Sequence, residues 1–276
     1  MAERLGDVIV GVALAVIVIV IVLAFTAPGL LIAGILPRED IRNLAKNFLI
    51  YAINWQKKGF WVSSPEVVTS GVWDFRGLDT LFETAVFYLA IIGSTSVFRL
   101  LETKLHEEKK GKELGLSIIA KVGARIMVIL IIVASISIAV HGHLTPGGGF
   151  QGGSAFAVAP LLLIAAFSRV LLDKLGFTKE KMLGTRVIGL LVIALVALIP
   201  VTLGGLVMQN QPKPWSIFSG YPVGILEPFL WISGSLFFYN IAEFLAVGAG
   251  FTILFILLSL PEELYRKDLE RGGVSG

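Results

Sequence analysis

The chain has 276 residues, of which 55% are hydrophobic and only 16% charged, and its mean hydropathy is +0.84. Soluble domains are typically about a quarter charged, so this composition indicates a membrane protein. The chain contains no cysteine and 3 histidines, which excludes disulfides, cysteine nucleophiles and iron–sulfur ligation by this chain. Any redox chemistry therefore takes place in other subunits. The net charge of +3 is small, so the placement of the charges is more informative than their sum.

Apolar runs long enough to cross a membrane lie at roughly 8–36, 78–100, 117–140, 151–171, 184–208 and 227–260. A transmembrane helix needs about 20 predominantly apolar residues. The first run is too long for a signal peptide and lacks a small-residue cleavage site, so we interpret it as a retained helix. The sequence thus predicts an all-α polytopic protein of the cell membrane with about six transmembrane helices.

Basic residues indicate the orientation of these helices. The connections at 99–121 and 169–186 and the C-terminal tail are rich in lysine and arginine, whereas the glycine-rich connection at 141–153 has none. By the positive-inside rule, both termini are expected in the cytoplasm (N-in/C-in) and the glycine-rich connection outside. The 37–77 segment holds six basic residues yet must lie outside, which long loops tolerate.

Two polar segments divide the chain. EDIRNLAKNFLIYAINW (39–55) has apolar positions at helical spacing and predicts an amphipathic helix on the outer surface. Residues 102–116 form a charged cytoplasmic linker between a front part with two spans (1–101) and a back part with four (117–276). We interpret the chain as a fusion of two originally separate membrane subunits.

Ionisable side chains cluster where the second span begins, in GVWDFRGLDTLFETAVFYLAIIG. Asp74, Arg76, Asp79 and Glu83 lie at the mouth of this apolar helix, and ionisable groups at membrane depth are candidates for an ion or proton pathway. Two structural alternatives stay open. Thr80 and Glu83 have the spacing of a capping box, and Asp74 with Arg76 has that of an interfacial ion pair.

The connection HGHLTPGGGFQGG (141–153) is dense in glycine. Three consecutive glycines permit positive φ and Pro146 fixes the entry, so the loop can fold back into the protein. His141 and His143 titrate near neutrality and are candidates for relaying protons. The alternative is a tight turn with both histidines at the wet interface. In the last span, mid-helix Glu243 must face protein or water, which favours a functional or helix-pairing role.

Three of these motifs resemble one family of membrane complexes. GHLTPGGGFQGG (142–153) and NIAEFLAVGAG (240–250) resemble the B subunit (MnhB type) of Mrp multisubunit sodium/proton antiporters and its F-type counterpart in archaeal membrane-bound hydrogenases. VWDFRGLDTLFE (72–83) resembles the end of the Mrp A subunit, a separate E-type subunit in those hydrogenases. The E–F join resembles the membrane-bound sulfane sulfur reductase of hyperthermophilic archaea.

The resemblance implies a non-catalytic membrane subunit that contributes to sodium translocation, without a cofactor of its own. Its expected partners are Mrp-like membrane subunits and a peripheral redox arm with iron–sulfur clusters. The matched hinge residues are Gly142, Pro146, Gly147, Gly148, Gly149, Phe150, Gly152 and Gly153. Phe82 departs from the family's glycine before the glutamate. An Mrp antiporter or hydrogenase subunit, and a purely structural subunit, remain alternatives.

Overall fold

The computed structural model describes residues 11–20, 22, 42–52, 62, 64–98, 115–202, 204–210 and 234–259, and this part of the chain contains helices and no strand. The helices are α1 (Gly11–Val20), α2 (Asn43–Ala52), α3 (Val67–Ser70), α4 (Gly77–Val97), α5 (Ile118–Val140), α6 (Gly149–Phe167), α7 (Arg169–Lys174), α8 (Lys179–Thr202) and α9 (Ser235–Leu258). A π-helical turn (Gly71–Phe75) joins α3 to α4.

The chain divides into two compact units, Met1–Lys46 and Asn47–Gly276. In the described part of the first, the side chains of the apolar helix α1 are exposed. The second contains α4, α5, α6, α8 and α9, which are all long and apolar enough to cross a membrane. The predicted all-α, multi-pass membrane fold is therefore confirmed.

Five of the predicted spans coincide with these five long helices. The first predicted span, 8–36, overlaps α1. Apart from residue 22, the rest of it lies outside the described residues, as do most of the 102–116 linker and both termini. The predicted amphipathic segment contains α2. The fifth span was predicted to begin at residue 184, but α8 begins at Lys179, so its first turns belong to the helix and not to the preceding connection.

Helix α9 is the centre of the second unit, because it packs along α6 and α8 and also contacts α4. Small residues allow these close approaches. A Cβ on Gly153 of α6 would lie 2.9 Å from the backbone nitrogen of Gly248 on α9. Similarly, a Cβ on Gly189 of α8 would lie 2.5 Å from the carbonyl oxygen of Ala242. Small residues at helix contacts are typical of membrane bundles, where close backbone approach supplies the packing energy.

Candidate functional site

The glycine-rich connection is a compact turn between α5 and α6. Helix α5 ends at Val140, and the Nδ1 atom of exposed His141 lies 2.9 Å from the carbonyl oxygen of Ser137. Gly148 has φ +136°, a backbone conformation that side-chain-bearing residues rarely adopt, and α6 begins at the next residue. The turn thus brings α6 back along α5, against which it packs.

Residues just before α4 hold this turn in place. The backbone N–H of Glu66 and the hydroxyl of Ser64 both donate to the carbonyl oxygen of His143, over 3.1 and 2.9 Å. The hydroxyl of Thr69 donates to the carbonyl oxygen of Gly142 over 2.5 Å. Buried backbone groups need such partners. The front part of the chain therefore satisfies the polar backbone of a turn that belongs to the back part.

Glu243 of α9 lies at the amino-terminal end of α6. Its carboxylate accepts hydrogen bonds from the backbone N–H of Phe150 and from the indole of Trp73. One turn earlier on α9, the Oδ1 atom of Asn240 accepts from the backbone N–H of Gly149 over 3.4 Å. The first N–H groups of a helix have no partner within the helix and carry a partial positive charge. Because α6 has no side-chain cap of its own, α9 supplies the missing acceptors.

Trp73 joins the front and back motifs. The π-helical turn holds its indole in the interior, stacked on Tyr239 of α9 with ring centroids 4.6 Å apart. The same indole donates to Glu243. Trp73 stands inside the motif that carried the sequence-based resemblance, but only the charged residues of that motif were taken as site candidates. A large aromatic residue with one polar atom, next to a cluster of charged residues in the sequence, could have identified Trp73 as a site candidate.

Glu83 and Glu243 line one cavity of about 320 Å³. Glu243 is 6% exposed, whereas Glu83 of α4 is exposed at the cavity mouth. Phe87 and Phe150 also line the cavity. Two carboxylates in one cavity repel each other unless a proton or a cation lies between them. In the part of the chain that the structure describes, no group of three or more His, Cys, Asp or Glu side chains is placed to hold a metal ion.

The other predicted charges lie apart from this cavity. Asp74, Arg76 and Asp79 line a second cavity of about 500 Å³ together with Met208 and Gln209. Arg76 and Asp79 form an ion pair at 2.5 Å, and their side chains are 75% and 61% exposed. Asp79 and Glu83, although one turn apart on α4, therefore line different cavities.

The capping-box alternative for the front motif is wrong. The N-cap of α4 is Arg76, and the Thr80 hydroxyl donates instead to the carbonyl oxygen of Val72 over 2.5 Å. Thr80 and Glu83 therefore do not form a capping box. Arg76 pairs with Asp79, three residues later on the helix. Phe82 is 64% exposed.

His143 is completely buried, and neither ring nitrogen has a hydrogen-bond partner among the described residues. Its ring meets the edge of Phe237 at a centroid distance of 5.7 Å. Burial, followed by the charge of His141, lowers the pKa of His143 from 6.5 to about 4. Burial therefore favours the neutral imidazole at pH 7.

Acid is expected to destabilise the fold through His143. The pKa of His143 is about 4 in the folded chain and 6.5 in the unfolded chain, so the unfolded chain takes up the proton first as the pH falls. The free energy of unfolding is therefore highest above pH 6.5 and decreases as the pH falls toward 4. Lowering the pH from 7.5 to 5 is expected to cost about 2 kcal/mol, at about 1.4 kcal/mol per pH unit below 6.5. Thermal unfolding in mild detergent at the two pH values measures this, and His143→Gln is expected to remove that loss.

The matched control is His141→Gln, because His141 is exposed. This variant is expected to keep the wild-type pH dependence. The interpretation is wrong if His143→Gln and the wild type lose the same stability between pH 7.5 and pH 5.

Arg186 is a buried charge that the sequence analysis assigned to a cytoplasmic connection. It lies inside α8, is 1% exposed, and its guanidinium carbon is 4.7 Å from the ring centroid of Phe87 and 5.3 Å from that of Tyr88. None of its three side-chain nitrogens has a hydrogen-bond partner among the described residues. A single arginine two residues after the start of the predicted fifth span was the available signal.

Part of the chain that carries this site is similar to a known protein family. Residues 119–253 match the family model described as a domain related to the MnhB subunit of the Na+/H+ antiporter. Because of this similarity, residues 119–253 are called the MnhB-related domain. The resemblance predicted from the glycine-rich motif is thereby confirmed. The MnhB-related domain contains the turn, Arg186 and Glu243, whereas Trp73 and Glu83 precede it.

Similar proteins extend beyond the MnhB-related domain. The uncharacterized protein MJ1307 of Methanocaldococcus jannaschii is 27% identical over 216 residues, which are 74% of this chain and 80% of that protein. A chain of the membrane-bound sulfane sulfur reductase, an archaeal respiratory membrane complex, is 24% identical with a TM-score of 0.56, over 91% of this chain and 97% of that one. A chain of the Mrp complex from Dietzia sp. is 19% identical with a TM-score of 0.54, over 92% and 26%. The two solved structures share the fold.

Proposed function

We propose that the chain is a non-catalytic membrane subunit of a respiratory complex of the sulfane sulfur reductase type. In this proposal it contributes to sodium translocation that electron transfer in other subunits drives. Its partners are Mrp-like membrane subunits and a peripheral arm that carries the iron–sulfur clusters. The MnhB-related domain and the shared fold over 91% of this chain support this assignment. The front part (1–101) corresponds to an E-type subunit and the back part (117–276) to an F-type subunit.

The observation that carries the sodium proposal is the pairing of Glu83 with Glu243 in one cavity. The two carboxylates come from the two parts of the chain, and the cavity exists only where those parts meet. Glu83 lies six residues into α4, about 9 Å along the helix. A carboxylate at that depth is costly unless it serves a polar pathway or a partner. Carboxylate oxygens are suited to hard cations such as sodium.

Glu83→Gln is expected to abolish most of the sodium dependence of the complex while leaving it assembled, because the variant keeps the side-chain shape and removes a charge from the cavity. The complex is purified through a tag in mild detergent, and mass spectrometry identifies its other subunits. The sodium dependence of its electron-transfer activity is then compared with that of the wild type. Wild-type sodium dependence in an assembled Glu83→Gln complex would refute the proposal.

A matched control neutralises a carboxylate elsewhere. Asp173 of α7 lies outside both cavities and faces Arg169, with 3.9 Å between the charged atoms. Asp173→Asn is expected to leave the sodium dependence unchanged. Equal effects of the two variants would show that the response does not come from the cavity.

The subunits that accompany the chain distinguish the alternatives. A sulfur-reducing catalytic subunit supports the proposal, and a hydrogenase subunit assigns the chain to the sister complex. Recovery with Mrp-like subunits alone makes it part of a sodium/proton antiporter. The second candidate function is a purely structural role in the complex. The contacts of Asn240 and Glu243 with the start of α6 favour this role. The structural role is the correct one if Glu83→Gln leaves the sodium dependence of an assembled complex unchanged.

A further inference from the structure

Arg186 contacts α4 and α9 at positions that lie further along each helix than the two cavity carboxylates. On α4 its guanidinium lies over Phe87 and Tyr88, four and five residues after Glu83. On α9 it lies against Gly250, seven residues after Glu243, where an added Cβ would collide with the guanidinium. At about 1.5 Å per residue, these contacts are about 6 and 10 Å along the two helices from the carboxylates. Arg186 therefore lies beyond the cavity along the same two helices.

An aromatic wall separates Arg186 from the cavity. Phe87 lines the cavity and also carries the guanidinium over its ring. Phe251 of α9 completes the wall, with ring centroids 5.1 Å from Phe87 and 6.3 Å from Phe150. Further along the helices, Ile91, Ile253 and Leu257 form a buried apolar cluster. In the described part of this interior, Arg186 is thus the last buried charge, and the apolar cluster lies further along the helices.

The charge on Arg186 has no acidic partner within hydrogen-bond range among the described residues. The two aromatic rings offer cation–π contacts, which stabilise a guanidinium but do not neutralise it. The nearest acidic residue on its own helix, Glu180, is exposed and six residues away. On α4 and α9, the last acidic residues before its contact points are Glu83 and Glu243. A guanidinium stays charged in proteins.

We propose that Arg186 is the resident counter-charge of the Glu83–Glu243 cavity. Two carboxylates and one arginine leave a net charge of −1, which a single monovalent cation balances. Without Arg186 the pair would have a net charge of −2, which binds any cation more tightly and suits a divalent ion. Reversible transport requires binding that is weak enough for the ion to leave. This inference rests on the proposed function, which places a cation in the cavity.

A charge cycle tests the proposal through the sodium concentration that gives half-maximal sodium-dependent activity, measured at alkaline pH, where protons compete least. Arg186→Met replaces the guanidinium by an apolar side chain that packs well against aromatic rings. It is expected to lower the half-saturating sodium concentration about tenfold, the effect of one charge at this range. Calcium is also expected to inhibit this variant at concentrations that the wild type tolerates. Glu83→Gln, with a net charge of zero, is expected to require much more sodium.

The double variant Glu83→Gln with Arg186→Met restores the net charge of −1. It is expected to return the half-saturating sodium concentration toward the wild-type value and to lose the inhibition by calcium. Because the double variant has the same net charge as the wild type, it tests the proposal even if Arg186→Met alone fails to assemble. The control is Arg125→Met, which removes an exposed arginine that lies 5.3 Å from the ring centroid of Phe167. This control is expected to behave like the wild type.

The outcomes separate the inference from the function on which it rests. If Glu83→Gln impairs the sodium response and the double variant is no better, Arg186 is not the counter-charge and the proposed function stands. An unchanged or raised sodium requirement in assembled Arg186→Met overturns the inference in the same way. If Glu83→Gln alone has no effect on the sodium response, the proposed function itself is wrong and the inference fails with it.

Discussion

Replacing Gly149 with alanine is expected to destabilise the fold by about 1–3 kcal/mol, the usual cost of overpacking a well-packed interior. An added Cβ would lie 2.6 Å from the Cβ and 2.8 Å from the Oε2 atom of Glu243, and it would also collide with the carbonyl oxygen of Asn240. The carbonyl oxygen and the Cβ are fixed to the backbone of the central helix α9, so they cannot withdraw as the end of a flexible side chain can. Separation of α6 from α9 would also remove the acceptors of the α6 backbone.

The same substitution at Gly184 of α8 is the matched control, because an added Cβ there meets no atom within 4 Å. Alanine is favoured over glycine inside a helix by about 0.8–1.0 kcal/mol, so this variant is expected to be as stable as the wild type or slightly more stable. Thermal unfolding of the purified complex in mild detergent compares the two. The packing argument fails if both substitutions change the unfolding temperature in the same direction by similar amounts.

The fold was largely predictable because the membrane imposes its own length scale. Apolar runs of about 20 residues identify helices whatever their packing, and five of them were found where the sequence predicted. The ends of the helices were less predictable. Lys179 begins α8 although charged residues fill its first turn, because a helix continues beyond the apolar core into the interface. Arg186 was assigned to a connection for that reason.

The candidate site was predictable only in part, because its contacts join segments far apart in the chain. Glycines 147–149 were expected to permit a turn, and Gly148 does so with its positive φ. Gly149 is required for a different reason, since α9 occupies the space of its side chain. The hydrogen bond from Trp73 to Glu243 spans most of the chain. Spacing along one helix cannot reveal such a contact, as the separate cavities of Asp79 and Glu83 demonstrate.

Glu243→Leu is expected to destabilise the fold by about 2–6 kcal/mol, because each of two buried donors left without an acceptor costs about 1–3 kcal/mol. The donors affected are the backbone N–H of Phe150 and the indole of Trp73. Thermal unfolding of the purified complex measures the loss. Glu180→Leu, at an exposed position in the first turn of α8, is the control and is expected to cost at most about 1 kcal/mol. Equal stability of Glu243→Leu and the wild type would show that these hydrogen bonds do not support α6.

Glu243→Gln separates the two roles that the sequence left open for this residue. The amide keeps an oxygen acceptor for the α6 backbone and for Trp73, so this variant is expected to unfold close to the wild-type temperature. It also removes one of the two cavity charges, so its sodium requirement is expected to rise as in Glu83→Gln. If Glu243→Gln is stable and responds normally to sodium, Glu243 only pairs helices, and the ion cannot be bound between the two carboxylates.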